Sequence, residues 1–150
     1  MGRRQRSDSC HCKAARLDYT WPMHAFLEGK TLFITGSSRG IGAATAQLAK
    51  GYGATVVLHG SSMSRELKKL AKELESDVAI FDVSDAKAVE KEMKTLLKKH
   101  KRIDALVNCA GITNTHSTME ATEKDWLDVY KVNVIGTANV CKALLPVMKK

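Results

Sequence analysis

The stretch TGSSRGIG, residues 35–42, places three glycines within eight positions, directly after the apolar run LFI at 32–34. A glycine lacks a Cβ, so it permits sharp turns and lets another group come close to the backbone. The glycines follow a predicted strand and open a predicted helix, whose first N–H groups and partial positive charge suit a phosphate. The stretch therefore favours a phosphate-binding turn, with a tight connection that holds no ligand as the alternative.

Outward from this stretch, short apolar or β-branched runs alternate with segments of helical period. The pattern predicts strands over residues 31–35, 55–59, 78–81 and 105–108. Apolar side chains at helical spacing predict one helix through Met63, Leu67, Leu70 and Leu74 and another through Val89, Met93, Leu96 and Leu97. Strand followed by helix, repeated, predicts an α/β fold with a parallel sheet in three layers, of the Rossmann type.

Charged and polar residues mark the ends of the predicted helices. Asp85 is a predicted N-cap, and the KKHKR run at 98–102 complements the helix dipole at the other end of the same helix. After the fourth strand, the sequence predicts a helix from about Ser117 and a second helix from about Gly136 to the end.

The composition indicates a globular domain preceded by a basic segment. The chain has 150 residues, of which 44% are hydrophobic and 27% charged, with a net charge of +8. Residues 1–25 carry five basic residues against two acidic ones and show no period, so we expect a disordered extension before a domain over 26–150. Asp8 and Asp18 argue against a transit peptide, and translation from Met23 would remove the segment. The remaining positive charge lies on lysine-rich helix faces, which favours solvated charge over nucleic-acid binding.

Metal, membrane and secretory functions are not indicated. No run approaches the roughly 18 apolar residues that cross a bilayer, so we expect a cytoplasmic protein. Cys109 and Cys141 lie in apolar segments and are predicted to be small buried hydrophobic residues. The run Cys10-His11-Cys12 lacks the second ligand pair that structural zinc sites use, so no metal site is expected there.

Four motifs in register resemble the classical short-chain dehydrogenases/reductases. TGSSRGIG is similar to the family's T-G-x-x-x-G-x-G motif, and Asp82-Val83 to the D-V pair at the adenine end of its cofactor. The run NCAG at 108–111 resembles N-N-A-G, with Cys109 as the departure, and Asn133 in KVNVIGT matches the asparagine of the catalytic tetrad. The stretches LVNCAGIT and SSRGIG are similar to 3-oxoacyl carrier-protein reductases, although reductases of other substrates share them.

The resemblance implies an oxidoreductase that reduces a carbonyl, such as a 3-oxoacyl thioester, by hydride transfer from a nicotinamide cofactor. The implied cofactor-binding residues are Gly36, Ser38, Arg39, Gly40, Ile41, Gly42, Ser61, Asp82, Val83, Asn108, Ala110 and Gly111. Simpler roles stay open for three of the motif residues. Asp82 would then be a polar strand end, Asn108 a tie between two loops, and Asn133 a polar residue inside a helix.

The cofactor preference follows from two positions. NAD-selective sites place an acidic side chain near the end of the second strand, where it binds the ribose 2′-OH. Here that region reads LHGSS, residues 58–62, without a carboxylate. Arg39 resembles the basic residue that pairs with the 2′-phosphate in NADP-preferring relatives. We therefore expect NADP(H), with NAD(H) as the weaker ligand.

The resemblance covers only part of the family's catalytic machinery. Its tyrosine and lysine lie in Y-x-x-x-K, and a serine polarises the substrate carbonyl. The tyrosines of this chain are Tyr19, Tyr52 and Tyr130, and Met23, Val56 and Val134 stand four residues after them. We expect the N-terminal half of a reductase, whether a fragment, an interrupted gene product or part of a split assembly; a non-catalytic dinucleotide-binding module is the alternative.

The last two predicted helices carry more apolar side chains than four strands can cover. The family uses the equivalent helices to build dimers and tetramers, and its strand order would leave the fourth strand as an apolar edge. We therefore expect a homo-oligomer that associates through these helices, with these side chains at the surface: Trp126, Val129, Tyr130, Val140, Leu144 and Leu145.

Overall fold

The structure is a computed structural model that describes residues 26–114 and 116–148. Within these residues four parallel strands form one sheet in the order β3-β2-β1-β4. The strands are β1 (Thr31–Thr35), β2 (Thr55–Gly60), β3 (Asp77–Ile80) and β4 (Ala105–Asn108). The parallel α/β fold predicted from the sequence is confirmed, and the predicted strand bounds differ by at most one residue. The predicted extension over 1–25 and Cys10-His11-Cys12 lie outside the described residues.

Helices cover both faces of the sheet and complete three layers. They are α1 (Gly40–Gly51), α2 (Arg65–Leu74), α3 (Ala86–His100), α4 (Glu123–Tyr130) and α5 (Thr137–Met148). Alternate side chains of β1 point to opposite faces, because successive residues of a strand do so. Leu32 and Ile34 pack with α1 and α2, whereas Phe33 packs with α3 and α5. Both faces are therefore apolar, as the continuous hydrophobic runs of β1 and β2 require.

Side chains that cap the helices explain where α2 and α3 begin. The Oδ1 of Asp85 accepts hydrogen bonds from the N–H groups of Lys87 and Ala88, which confirms the predicted N-cap of α3. The Oγ of Ser64 accepts from the N–H of Leu67, so α2 begins at Arg65. The expectation that Met63 joins the buried face of this helix is wrong. Met63 precedes the cap and is 53% exposed.

The C-terminal part of the described chain is one continuous helical run, which corrects one of the two helix starts predicted there. The predicted start near Ser117 is wrong, because Thr122 and Asp125 form a capping box that starts α4 at Glu123. The predicted helix from about Gly136 is confirmed as α5, which begins at Thr137. A π-helical segment (Lys131–Gly136) joins α4 to α5. A Cβ at Gly136 would lie 2.5 Å from Cγ2 of Val83, so this glycine allows close packing and does not end the helix.

Two residues of the predicted association surface lie in the core. Val140 and Leu144 are fully buried against the face of the sheet that also contains Phe33. Their side of α5 packs on the sheet, so the sheet covers more of this helix than the sequence suggested. Trp126, Tyr130 and Leu145 are exposed, and Val129 is half-buried.

Asp104 joins β4 to β1 at the amino end of the sheet. Its Oδ2 accepts a 2.9 Å hydrogen bond from the N–H of Thr31, and its own N–H donates to the Thr31 carbonyl at 2.8 Å. Arg102 and Lys30 pair with the same carboxylate. The Arg102 hydrogen bond, with smaller contributions from Thr31 and Lys30, lowers the pKa of Asp104 from 3.8 to about 2.

Among the described residues, no helix has both the length and the apolar character to cross a bilayer. Nor do those residues bring together three side chains of the kinds that bind metals.

Candidate functional site

A cavity of about 420 Å³ opens at the carboxyl ends of the strands. It lies where the chain, having added β2 and β3 on one side of β1, crosses to add β4 on the other. Open parallel sheets bind ligands at such switch points. The lining residues are Gly36, Ser38, Arg39, His59, Gly60, Ser61, Asp82, Val83, Cys109, Ala110, Gly111, Ile112 and Val132.

The structure brings most of the predicted cofactor residues together in this cavity. Eight of the twelve line it: Gly36, Ser38, Arg39, Ser61, Asp82, Val83, Ala110 and Gly111. Gly40, Ile41, Gly42 and Asn108 are not in the lining, and neither is Asn133. The side chain of Ile41 is 80% exposed on the first turn of α1.

Residues 35–42 form the glycine loop. Its three glycines have different structural roles. Gly36 has φ +61°, and a Cβ there would lie 2.5 Å from the Cys109 carbonyl oxygen. A Cβ at Gly42 would lie 2.5 Å from the Gly36 carbonyl oxygen. Gly40 has φ +58°, yet a Cβ there would meet no atom within 4 Å. Two glycines thus make room for the chain's own backbone, and Gly40 is the one whose missing side chain leaves open space.

The start of α1 differs from the starts of α2, α3 and α4. Side chains of Ser64, Asp85 and Thr122 cap those three helices. The side chain of Arg39 does not cap α1, and the first turn of α1 contains no acidic residue. The first N–H groups of a helix carry partial positive charge and seek acceptors. This end of α1, next to the open side of Gly40, is therefore suited to an anion such as a pyrophosphate.

Thr35 fastens the glycine loop to the segment that follows β4. Its side chain is buried, and its Oγ1 accepts hydrogen bonds from the N–H groups of Cys109 and Ala110, each at 3.0 Å. These bonds hold the 109–110 backbone against Gly36, where the absent Cβ makes room for it. The sequence analysis did not include Thr35 among the site residues, although the family motif that resembles this stretch begins with that threonine.

His59 also lines the cavity, and its place there was not predicted from the sequence. It lies at the end of β2 with 2% of its surface exposed, directly beside the glycine loop. The N–H of Gly36 donates to Nδ1 at 3.1 Å, and Nε2 lies 3.0 Å from the carbonyl oxygen of Phe81. Since a carbonyl only accepts, Nε2 carries the proton and the imidazole is neutral. Burial lowers the pKa of His59, against opposing effects of the Phe81 carbonyl and the Asp82 charge.

The backbone of His59 also binds the loop. The N–H of Ser37 donates to the His59 carbonyl oxygen at 2.9 Å, and the N–H of His59 donates to the Ser37 Oγ at 2.7 Å. Ser37 is fully buried by this exchange. A polar residue at the end of a strand that is otherwise apolar was the one signal in the sequence that pointed to His59.

Asp82 and Val83 lie where the chain leaves β3. The Oδ1 of Asp82 accepts from the N–H and the hydroxyl of Ser84, both at 2.8 Å, which forms a tight turn. Val83 is buried beneath Gly136, and the Nδ2 of Asn139 donates to the Val83 carbonyl at 3.0 Å. The sequence predicted that this pair would border the site, and the cavity lining includes both.

Arg39, Ser38 and Ser61 form the polar side of the cavity. Arg39 is exposed. Its charge also reaches Glu66 at the start of α2: the pKa of Glu66 is lowered mainly by the residue's own backbone N–H and by Ser64, with a smaller effect from Arg39. No carboxylate occurs in the stretch 58–62 at the end of β2.

The two asparagines of the motifs hold structure next to the cavity. The Oδ1 of Asn133 accepts from the N–H of Ile112 at 2.8 Å, and its Nδ2 donates to the Ile112 carbonyl at 2.9 Å. The Nδ2 of Asn108 lies 3.5 Å from the Cys141 sulfur. Asn133 lies inside the helical run, as one of the open roles had it, and holds the loop after β4. The Asn108 contact joins the end of β4 to α5 and not two loops.

Cys109 and Cys141 are free thiols, and the expectation that they are buried is wrong. Both are half-buried. Cys109 lines the cavity because it lies in the loop that leaves the sheet, beyond the apolar residues of β4.

A second cavity of about 420 Å³ lies between α3 and α5, far from the glycine loop. The lining residues are Ala86, Glu90, Met93, Lys94, Leu97, Asn139, Lys142 and Ala143. Lys94 pairs with Glu90 there, on the exposed surface of α3.

The glycine loop, the strand order and the site geometry agree with a family comparison. The sequence profile of the family described as short chain dehydrogenase matches residues 30–150. The chain belongs to the short chain dehydrogenase family. It is 38% identical over 129 residues to the 3-oxoacyl-[acyl-carrier-protein] reductase FabG of Thermotoga maritima, covering 83% of this chain and 52% of that protein. It is 36% identical over 112 residues to the 2,3-dihydro-2,3-dihydroxybenzoate dehydrogenase of Escherichia coli K12, covering 75% and 43%.

Solved structures of short chain dehydrogenases superpose on the same region. One from Escherichia coli CFT073, in complex with NADPH, matches with a TM-score of 0.77 at 27% identity, over 84% of this chain and 56% of that one. One from Shigella flexneri, in complex with NADP, matches with a TM-score of 0.78 at 26% identity, over 85% and 56%. The chain spans about half the length of the curated relatives it matches.

Proposed function

We propose that this short chain dehydrogenase chain binds NADP(H) in the cavity at the carboxyl ends of its strands. The observation that carries the proposal is the start of α1, where an uncapped helix end and the open side of Gly40 border a cavity at the switch point of the sheet. The pyrophosphate would lie against this helix end. The adenine end would lie toward Asp82 and Val83, and Ala110 and Gly111 would border the nicotinamide side.

The preference for the phosphorylated cofactor rests on Arg39. An arginine forms charge-assisted hydrogen bonds with a phosphate that a neutral hydroxyl cannot replace. The stretch 58–62 offers no carboxylate to the 2′-OH of NAD(H), and two solved relatives hold NADPH or NADP. We expect NADPH to bind about ten-fold to a hundred-fold more tightly than NADH, as one charged pair of about 1.5 to 3 kcal/mol would give.

Titration of both cofactors tests this preference. Arg39→Ala is expected to remove most of the NADPH advantage and to leave NADH affinity nearly unchanged. Lys91→Ala is the matched control, because it removes one exposed positive charge from α3, away from the cavity. An unchanged NADPH-to-NADH ratio in Arg39→Ala contradicts the assignment. An equal loss in both variants would point to the net charge of the chain instead.

The activity we propose for the protein is reduction of a carbonyl, with a 3-oxoacyl thioester as the substrate class. When bound, the cofactor supplies a hydride from C4 of its nicotinamide to the carbonyl carbon. The residues of this chain that line the cavity would hold the cofactor. The sequence of 150 residues contains no Y-x-x-x-K, so we expect the chain alone to bind NADPH without useful turnover. Loss of a general acid typically costs about 10² to 10⁴ in rate.

Following NADPH absorbance with an acetoacetyl thioester and with a generic diketone tests the activity. Turnover by the 150 residues alone, at the rate of a version extended with a Y-x-x-x-K half, would show that another residue carries the proton. The second candidate function is a non-catalytic dinucleotide-binding module, which the same cavity would serve. Tight NADPH binding without activity in the extended version as well would support that candidate.

We further propose a homo-oligomer that associates through α4 and α5. The exposed apolar residues Trp126, Tyr130 and Leu145 support this, whereas Val140 and Leu144 no longer do. Light scattering at rising concentration tests it, and a monomer at high concentration contradicts it. The free thiols of Cys109 and Cys141 suit a reducing compartment, so we expect a cytoplasmic protein.

A further inference from the structure

His59 makes contacts that neither its position in a strand nor the motifs of the family explain. Its ring joins two segments: Nδ1 accepts from the Gly36 N–H in the glycine loop, and Nε2 donates to the Phe81 carbonyl after β3. The backbone of His59 binds Ser37 in the same loop. The centroid of the Phe81 ring lies 4.2 Å from that of His59, and Phe33 packs edge-on at 6.1 Å. Both ring nitrogens are used and both sides are packed, so the ring has one position.

We propose that neutral His59 is a positioning residue for the cofactor, because its Nδ1 holds the Gly36 amide and thereby sets the conformation of the glycine loop. The inference rests on the proposed binding of NADP(H). Gly36 begins the turn at φ +61°, so the direction of its peptide determines where Gly40 and the start of α1 stand. The same ring binds the end of β3, one residue before Asp82, and so couples the pyrophosphate end of the cavity to its adenine end.

A protonated His59 cannot make these contacts. Protonation would place an N–H at Nδ1 against the N–H of Gly36, so two donors would face each other and the amide would lose its acceptor. A buried donor without a partner is costly. The charged groups on the neighbouring elements are Arg39 on the loop, Asp82 after β3, and Arg65 and Glu66 at the start of α2. Of these groups, Asp82 raises the pKa of His59, but burial lowers that pKa by a larger amount. Cofactor affinity should therefore fall as the pH falls through the titration of His59.

Two substitutions of nearly equal shape distinguish the effect of the hydrogen-bond acceptor for Gly36 from the effect of side-chain packing at His59. His59→Asn keeps an oxygen at the place of Nδ1, and His59→Leu puts a methyl group there. Both lose the bond to Phe81, so they differ in the acceptor for Gly36. NADP⁺ is the probe, with dissociation constants measured by calorimetry from about pH 8 down to about pH 5, because burial lowers the pKa of His59 below the ordinary value for histidine. The 2′-phosphate of the ligand also titrates near pH 6, and this effect is common to all the variants.

At about pH 8 we expect His59→Leu to bind NADP⁺ about ten-fold more weakly than His59→Asn, since the partly buried Gly36 amide loses its acceptor. The wild-type protein should lose more affinity on acidification than His59→Asn. Equal dissociation constants for the two variants, or equal pH dependence of the wild type and His59→Asn, overturn the proposal.

Nuclear magnetic resonance supplies a test that needs neither cofactor nor substitution. The Gly36 amide shift of the wild-type protein should titrate with the ¹⁵N signals of the His59 ring, which should show the Nε2–H tautomer at about pH 8. Because this test uses only the wild-type protein, it can be carried out even if His59→Leu does not fold. If the wild type binds no dinucleotide, the proposed function fails, and the Gly36 titration decides alone whether His59 positions the loop. A Gly36 amide that does not respond to His59 overturns the proposal.

Discussion

At the amino end of the sheet a charged residue, Asp104, joins β4 to β1, whereas at the carboxyl end a neutral one, His59, joins β1, β2 and β3. The Asp104 side chain is 12% exposed and accepts from Thr31, Lys30 and Arg102. His59 is 2% exposed and binds Gly36 and Phe81. Both residues connect strands that are distant in sequence, but one does so with ion pairs and the other without charge.

The difference follows from what each end of the sheet must leave free. The amino end binds nothing in our proposal, so ion pairs can gather around Asp104 near water. The carboxyl end has to keep its positive groups, Arg39 and the start of α1, available for an anion. A carboxylate in the place of His59 would compete with that anion and would face a large desolvation cost. A neutral imidazole orders the glycine loop without adding charge to the cavity.

The largest expected effect comes from adding a side chain where the glycine loop packs against the segment after β4. Gly36→Ala should destabilise the protein by about 2 to 4 kcal/mol, because the new Cβ combines a left-handed backbone with overlap of the Cys109 carbonyl. Gly29→Ala is the control, with φ +70° and no atom within 4 Å of the new Cβ. It should cost about 1 kcal/mol. Urea unfolding measures the free energy of unfolding of both variants. Equal losses would mean that the overlap with the Cys109 carbonyl does not destabilise the protein.

The two ends should lose stability in separate pH ranges. The folded pKa of His59 is lowered, so its contribution is complete above about pH 6.5 and falls as the pH drops below that value, by at most about 1.4 kcal/mol per pH unit. The contribution of Asp104 is complete above 3.8 and is lost as the pH falls toward about 2. Unfolding free energies measured from about pH 8 to about pH 3 should show the first loss in the wild type and not in His59→Asn. A loss that persists in His59→Asn would assign it to another group.

Removing the charge at the amino end should have a moderate effect. Asp104→Asn keeps an acceptor for Thr31 but loses the attraction to Arg102 and Lys30. We expect a loss of about 1 kcal/mol at neutral pH, since solvent screens these pairs. NADP(H) affinity should not change, because the cavity is at the other end. A drop in affinity beyond that explained by unfolding would show that the two ends are coupled.

The smallest expected effect is at Asn133. Asn133→Ala removes two exposed hydrogen bonds to Ile112 and should cost about 0.5 to 1 kcal/mol. Hydrogen exchange at the Ile112 amide should accelerate, while exchange in β1 and β2 stays slow. Thr113→Ala, at an exposed neighbour in the same loop, is the control. If Ile112 exchanges equally in both variants, Asn133 does not hold this loop.

The sequence by itself determined the features that depend on neighbours along the chain. Period and apolar runs located β1 and β4 to the residue, and the preference of Asp85 for a helix start located α3. The glycine loop and its position between a strand and a helix could also be predicted from the sequence. The family resemblance added the border of the cavity at Asp82, Val83 and Ala110, which share no local pattern with the loop.

Tertiary structure decided the features that depend on contacts between distant residues. Gly136 lies inside a continuous helical run, where its missing Cβ leaves space for the Val83 side chain. Leu144 is buried because α5 lies on the sheet, and an apolar residue on a helix face does not itself say whether the sheet or a partner covers it. His59 meets Gly36 across 23 residues, and Asp104 meets Thr31 across 73. A periodic pattern in the sequence does not predict such pairs. The two residues of each pair meet only after the parallel sheet has formed and has brought the ends of its strands together.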